Sequence, residues 1–270
     1  MYLILSNTKS GNGKYAGVQR KVEALLDKLK IHFKTITVDD VGKIKEALSE
    51  NLSSTAKAVV VIGGDSTVSE VINTLPRRQM PLAIVPIGTS NSIAKSIGGE
   101  SIGEALEIIK LNRIVNFRLG YLGERFFLGS LHAAPRKNLL RKMLKRKRPL
   151  HGLLNVLGFS GGEKFDSTIA ELEMDRKLKF QGNVAFIEIK LENKREQNQR
   201  MEIEIITKNE KGKLIEHILH ASTLSIKAET NLPIVSGNDT IATTPVQIKA
   251  LSRTVPIMVS KEFETANEKS

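Results

Sequence analysis

Residues 2–6 form a short apolar run, and behind it Val18, Val22, Leu25, Leu26 and Leu29 recur at i, i+4, i+7, i+8 and i+11. That recurrence is the stripe of an amphipathic helix. The alternation continues down the chain: 33–38 predicts a strand, Val41, Ile44 and Leu48 a helix face, 58–62 a buried strand, and 68–75 a helix. Residues 81–86 predict another strand, followed by helical segments at 91–97 and 102–109. Strands that alternate with helices require parallel crossovers and helices on both sheet faces. The expectation for residues 1–115 is therefore an α/β, doubly wound, three-layer domain.

Beyond residue 115 the period shortens to two, at 125–128, 184–191, 201–207, 214–219, 224–227 and 246–251. Short alternating runs separated by polar turns such as 208–212 predict a mostly antiparallel, β-sandwich-like domain over 116–251. One helix interrupts this pattern at 137–148. It carries Leu139, Leu140, Met143 and Leu144 as a stripe, with Arg141, Lys142, Lys145, Arg146, Lys147 and Arg148 around it. The polar stretch 263–270 predicts a disordered tail.

Composition narrows the chemistry. The 270 residues contain no Cys, which removes disulfides, thiol nucleophiles and Cys-ligated metals and leaves Asp, Glu, Ser, Thr, Asn, Lys and five His. A net charge of +12 favours anionic partners: nucleic acid, an anionic membrane surface or phosphorylated small molecules. With 4% aromatics and no Trp, stacking platforms are scarce, so no nucleic acid is expected. The longest apolar runs, such as 58–62 and 81–87, fall far short of the about 20 residues needed to span a bilayer. Residues 1–7 show no leader pattern, and the expected location is cytoplasmic, with a peripheral position at the inner membrane face.

Three loops follow the first, third and fourth predicted strands, at the carboxyl edge where doubly wound sheets bind ligands. The first, 7–14, holds Asn7, Ser10, Gly11 and Gly13, and its spacing fits neither the Walker nor the dinucleotide fingerprint. The second is Gly63-Gly64-Asp65-Ser66-Thr67 and opens a helix bearing Glu70 and Asn73. The third runs Gly88-Thr89-Ser90-Asn91-Ser92 and opens another helix. Glycine allows close approach of backbone amides, and helix starts favour phosphate. Each loop alone also reads as a plain βα turn or a helix cap.

Taken together, Asn7-x-x-Ser10-Gly11, Gly63-Gly-Asp-x-Thr67-x-x-Glu70-Val71-x-Asn73 and Pro86-x-Gly-Thr-x-Asn91 resemble the catalytic-domain signature of the diacylglycerol and sphingoid lipid kinases. That family shares its fold with NAD kinases. The resemblance covers about residues 1–110 and is architectural beyond. It implies an ATP-binding α/β domain, a β-rich lipid domain, and a last strand near 252–262 that returns to the first domain. It further implies transfer of the γ-phosphoryl group of ATP to a lipid hydroxyl with Mg²⁺. By position, Asn7, Ser10 and Gly11 would line the adenine and phosphate side; Gly63, Gly64, Asp65 and Thr67 the phosphate and Mg²⁺ centre; Gly88, Thr89 and Asn91 the other wall. Glu70 would support the ribose or the loop.

The departures fall on the motif itself. Ser66 replaces a glycine, at a strain of about 1 kcal/mol if the position needs positive φ. Ser92 stands where an acid is expected. The late Asp-Gly-Glu motif, which supplies the family's base, is matched best by Ser236-Gly237-Asn238. A serine hydroxyl stays protonated at neutral pH and cannot act as that base unaided. Asp239 lies close, and with Asp65 it is the candidate catalytic carboxylate. Two further readings stand beside a lipid kinase of weak or lost activity: a non-catalytic nucleotide- or lipid-binding regulator, and an NAD kinase-like enzyme. The basic helix at 137–148 fits an anionic membrane surface. His217 and His220 lie in a strand-like run rather than a ligand pattern, and Glu202 and Glu204 read as the wet face of a strand.

Overall fold

In a computed structural model of the chain, the described residues are 1–75, 80–135, 166–191, 200–237 and 239–263. The predicted basic helix at 137–148, with Arg141, Lys142, Lys145, Arg146, Lys147 and Arg148, lies outside them, as do residues 264–270.

The first part runs β1 (Tyr2–Asn7), α1 (Tyr15–Lys28), β2 (Phe33–Val38), α2 (Ile44–Asn51), β3 (Ala58–Gly63), α3 (Asp65–Thr74), β4 (Leu82–Pro86), α4 (Ser92–Ser96) and α5 (Ile102–Leu111). The four strands pair in parallel in the order β2-β1-β3-β4. Alternate residues feed two cores, as the pleat dictates. Leu3, Leu5, Val59, Val61, Leu82 and Ile84 pack with Ile44 and Leu48 of α2, Val68, Val71 and Ile72 of α3, and Ile93 of α4. Ile4, Val60, Ile62, Ala83 and Val85 pack with Val18, Val22 and Leu26 of α1 and with Ala105, Ile108 and Ile109 of α5. Burial of each such Val, Leu or Ile side chain contributes about 1.5–3 kcal/mol. The three layers are thus set by strands apolar on both faces.

The second part contributes β5 (Ile114–Leu122), β6 (Arg125–Phe127), β7 (Ser130–Ala133), β8 (Thr168–Met174), β9 (Leu178–Leu191), β10 (Met201–Lys208), β11 (Leu214–Ala221), β12 (Thr223–Ala228), β13 (Pro233–Ser236), β14 (Asp239–Thr243) and β15 (Val246–Met258). The 14-residue β9 pairs with β8 through Leu178–Val184, and its later half pairs with β7 and β10. It belongs to both layers. Leu172, Leu224, Ile226 and Ile248 from one layer pack with Ile187, Ile189, Ile203, Ile205 and Ile234 from the other. β15 pairs antiparallel with β12 and β5, then reaches β4 in parallel at Ile257↔Leu82. The runs read separately at 246–251 and 252–262 are one strand up to Met258, which carries the sheet from the β-rich part into the α/β part.

Two expectations need correction. Ser66 is the second residue of α3 and is absent from the positive-φ positions, so the strain foreseen there does not arise. Glu204 is not on a wet face: it is 3% exposed. The second face of β9 and β10 is covered too, with Phe186 and Ile206 buried beside Val235 and Ala134. On that face Lys190 Nζ lies 3.1 Å from Glu188 and 3.8 Å from Glu204, and His132 Nε2 lies 3.1 Å from Glu188. Burial, followed by a bond to the Glu216 carboxyl, pushes Glu204 up to about 8. Burial also pushes Glu188 upward, but its bond to His132 and the charges of His132 and Lys190 outweigh that and hold it below the ordinary range.

Candidate active site

The three loops meet at the carboxyl ends of β1, β3 and β4, and close backbone packing brings them together. Gly11 has φ +68, and a Cβ there would lie 2.5 Å from the carbonyl oxygen of Ile87. A Cβ on Gly88 would lie 2.6 Å from Gly64 Cα. The glycines at these points are therefore demanded by loop-to-loop contact.

Side chains complete the join. Asn7, at the end of β1, is buried; its Nδ2 donates to Thr67 Oγ1 at 3.0 Å and its Oδ1 accepts from the Lys9 amide. Thr67 is fully buried, so this pair ties the first loop to α3 beneath the surface. Asn91 adopts the left-handed conformation at φ 51 and folds its amide back on Gly88, accepting from Gly88 N–H and donating to Gly88 C=O at 2.9 Å each. Ser10 and Gly11 begin a short 3₁₀ turn, and Thr89 is exposed at the rim.

α3 starts from Gly64 without a side-chain cap, and its first bond runs from Val68 N–H to Gly64 C=O. The preceding amides are not consumed within the helix, which leaves donors at the dipole's positive end. Together with the glycine contacts, this gives a cleft floor able to hold an anion such as a polyphosphate.

Asp65 is engaged differently. Its Oδ2 accepts from Ser92 N–H and Ser92 Oγ–H at 2.9 Å each, and its Oδ1 accepts from Ile93 N–H at 3.0 Å. Asp65 thus caps the start of α4, its neighbour on the same face of the sheet. From the β-rich part, the turn after β13 descends onto it: a Cβ on Gly237 would lie 3.0 Å from Asp65 Oδ2. The structure therefore brings Ser236-Gly237 to Asp65, while Asp239 faces Ser236 across the hairpin and is exposed. A magnesium ion prefers carboxylate and water oxygens in a tight octahedron. Three protein donors already occupy this carboxylate, so the residues present do not fit a directly held magnesium ion.

Glu70 and Asn73, one turn apart on α3, both face β6. Glu70 pairs with Arg125. Asn73 accepts from Phe126 N–H at 2.8 Å and donates to Phe126 C=O at 3.0 Å. Arg253 of β15 stacks over the Phe126 ring at 5.1 Å. This latch between α3 and the β5–β6 hairpin was not legible in the sequence, although the i, i+3 spacing of Glu70 and Asn73 was its one trace.

Above the latch lies a cavity of about 480 Å³, lined by Ser69, Arg125 and Ser236 and by apolar groups including Leu122, Phe126, Phe127, Ile241 and Val246. Ser236 both lines the cavity and neighbours Gly237, so the cavity's polar end lies beside the Asp65 corner of the cleft. Among the described residues, no helix is long and apolar enough to cross a membrane.

Comparison with known proteins gives this geometry its context. The diacylglycerol kinase catalytic domain matches residues 1–122. Sphingosine kinase B of Dictyostelium discoideum is 34% identical over 116 residues, which is 40% of this chain and 15% of that protein. The diacylglycerol kinase of Bacillus subtilis is 27% identical over 202 residues, 70% of this chain and 64% of that one. The matches thus span less than two thirds of these relatives' own length. A crystal structure titled as a diacylglycerol kinase from Bacillus anthracis superposes with a TM-score of 0.70 over 97% of this chain and 98% of its own, at 15% identity. That last likeness shows a shared fold, β-rich part included. Residues 1–122, which hold the three loops, are thus similar to the diacylglycerol kinase catalytic domain, and the whole chain shares the fold of the Bacillus anthracis protein.

Proposed function

We propose that this protein binds ATP in the glycine-loop cleft and a lipid alcohol in the adjoining apolar cavity, and that it phosphorylates that alcohol slowly. The observation that carries the reading is the contact of Gly237 with Asp65, which sets Ser236, part of the lining of the 480 Å³ cavity, next to the start of α3. The cavity falls within the range of small-ligand sites, large enough for a lipid's polar head and the first part of its chains.

ATP, when bound, supplies the phosphoryl group; the rest falls to the chain. The α3 amides and the backbone of Gly11, Gly64 and Gly88 would hold the phosphates, and the apolar wall at Phe126, Phe127 and Ile241 would hold the lipid body. Most of the work in such a transfer is positioning and charge stabilisation. Ser236 accounts for the slowness. It stands at the match to the family's base, and its hydroxyl can orient an acceptor hydroxyl but does not take its proton at neutral pH.

The test is transfer of labelled phosphate from ATP to a total lipid extract, by wild type and by Ser236→Asp. Weak label in one lipid class, increased by the carboxylate, supports the reading. Absence of label from both, with folded protein, overturns it. That outcome would favour the second reading, a non-catalytic nucleotide- and lipid-binding regulator, for which Ser236 in place of a carboxylate is the specific support. The net charge of +12 and the basic sequence at 137–148 support action at an anionic membrane surface.

A further inference from the structure

We propose that Asp65 is a positioning residue: it clamps the third glycine loop to the second, and nucleotide binding by this chain does not depend on a divalent cation held by that carboxylate. The inference rests on the nucleotide reading above and deepens it. Both Asp65 oxygens are committed, Oδ2 to the amide and hydroxyl of Ser92 and Oδ1 to the amide of Ile93. A carboxylate offers about four acceptor sites. The remaining approach is narrowed by Gly237, whose backbone sits against Oδ2 closely enough that a Cβ would be at 3.0 Å.

Two of the three donors are the backbone amides that start α4, so the carboxylate is turned toward that helix by the main chain, and serine at position 92 adds a third bond through its hydroxyl. Among the described residues, no group of three or more His, Cys, Asp or Glu is arranged to hold a metal ion. The clamp also sets the site's shape. Asn91, directly before Ser92, folds on Gly88, and Gly88 rests on Gly64. Releasing Asp65 would free Ser92 and loosen that whole contact.

The test combines hydrogen exchange at the Ser92 and Ile93 amides with calorimetric titration of ATP in magnesium and in EDTA. The expected result is protection of both amides that millimolar MgCl₂ leaves unchanged. Exchange should be at least tenfold faster in Asp65→Asn, with a smaller rise in Ser92→Ala, which removes one bond only and keeps the fold. ATP affinity should agree within about threefold between the two buffers, because the phosphates rest on backbone donors. Magnesium that accelerates exchange at 92–93, or an affinity more than tenfold weaker in EDTA, would overturn the clamp. If ATP fails to bind in either buffer, the nucleotide reading fails; the amide protection and its response to magnesium still decide the role of Asp65.

Discussion

Gly64 and Gly88 touch backbone to backbone, and this single contact sets how close the second and third loops can come. Gly88→Ala forces the loops apart. It should cost about 1–3 kcal/mol, a fall in Tm of about 2–4 °C per kcal/mol, and weaken ATP binding. Gly17 is the control, because it lies inside α1 with nothing within 4 Å of an added Cβ. Gly17→Ala should leave binding unchanged and raise stability by up to about 1 kcal/mol. A second residue-scale prediction concerns Glu204, pushed up to about 8 by burial and by Glu216. A carboxyl whose folded value exceeds its unfolded one stabilises most while protonated, so its contribution is full at acid pH and fades as pH rises through about 8. Glu188 is shifted the other way: its contribution is full above the ordinary carboxylate range and is lost as pH falls below that range through its lowered value. Thermal unfolding followed upward from about pH 5 should show Tm declining toward about pH 9, and Glu204→Gln should flatten that decline.

At the scale of elements, α3 joins the two parts of the molecule. Its start forms the floor of the cleft, and its Glu70–Asn73 face holds the β5–β6 hairpin that walls the cavity. Asn73→Ala leaves the Phe126 amide and carbonyl without that partner and should cost about 1–3 kcal/mol, read as a fall in Tm and faster exchange in the hairpin. Arg125→Ala should cost less, under about 1 kcal/mol, because the Arg125 side chain is 55% exposed. The strand–helix alternation of the first part was readable because each strand is apolar on both faces and each helix carries a 3.6-residue stripe. The three loops were readable because they sit immediately after those strands. The β5, β7, β8, β13 and β14 strands were not foreseen. β7, β13 and β14 are only four or five residues long, β8 does alternate in the sequence, and the pairing of β5, β7 and β8 is fixed by partners such as β15 and β9. The engagement of Asp65 by Ser92 and Ile93 was equally hidden, since its partners lie 27 and 28 residues away. Glu204 misled for a related reason: alternation shows which residues share a face but not whether something covers it.

For the whole molecule, β15 makes the two parts continuous, running from the β-rich layers to a parallel partner in the α/β sheet. On the proposed function, the cleft at that seam would present a nucleotide from one side and a lipid alcohol from the other. With +12 net charge, the protein should sediment with phosphatidylglycerol vesicles at low salt and be released at high salt, while neutral vesicles leave it in the supernatant. If the three loops form a nucleotide site, titration calorimetry of ATP will give saturable heat with wild type and a clearly weaker isotherm with Gly88→Ala. No heat and no shift in Tm with wild type at millimolar ATP would contradict that reading.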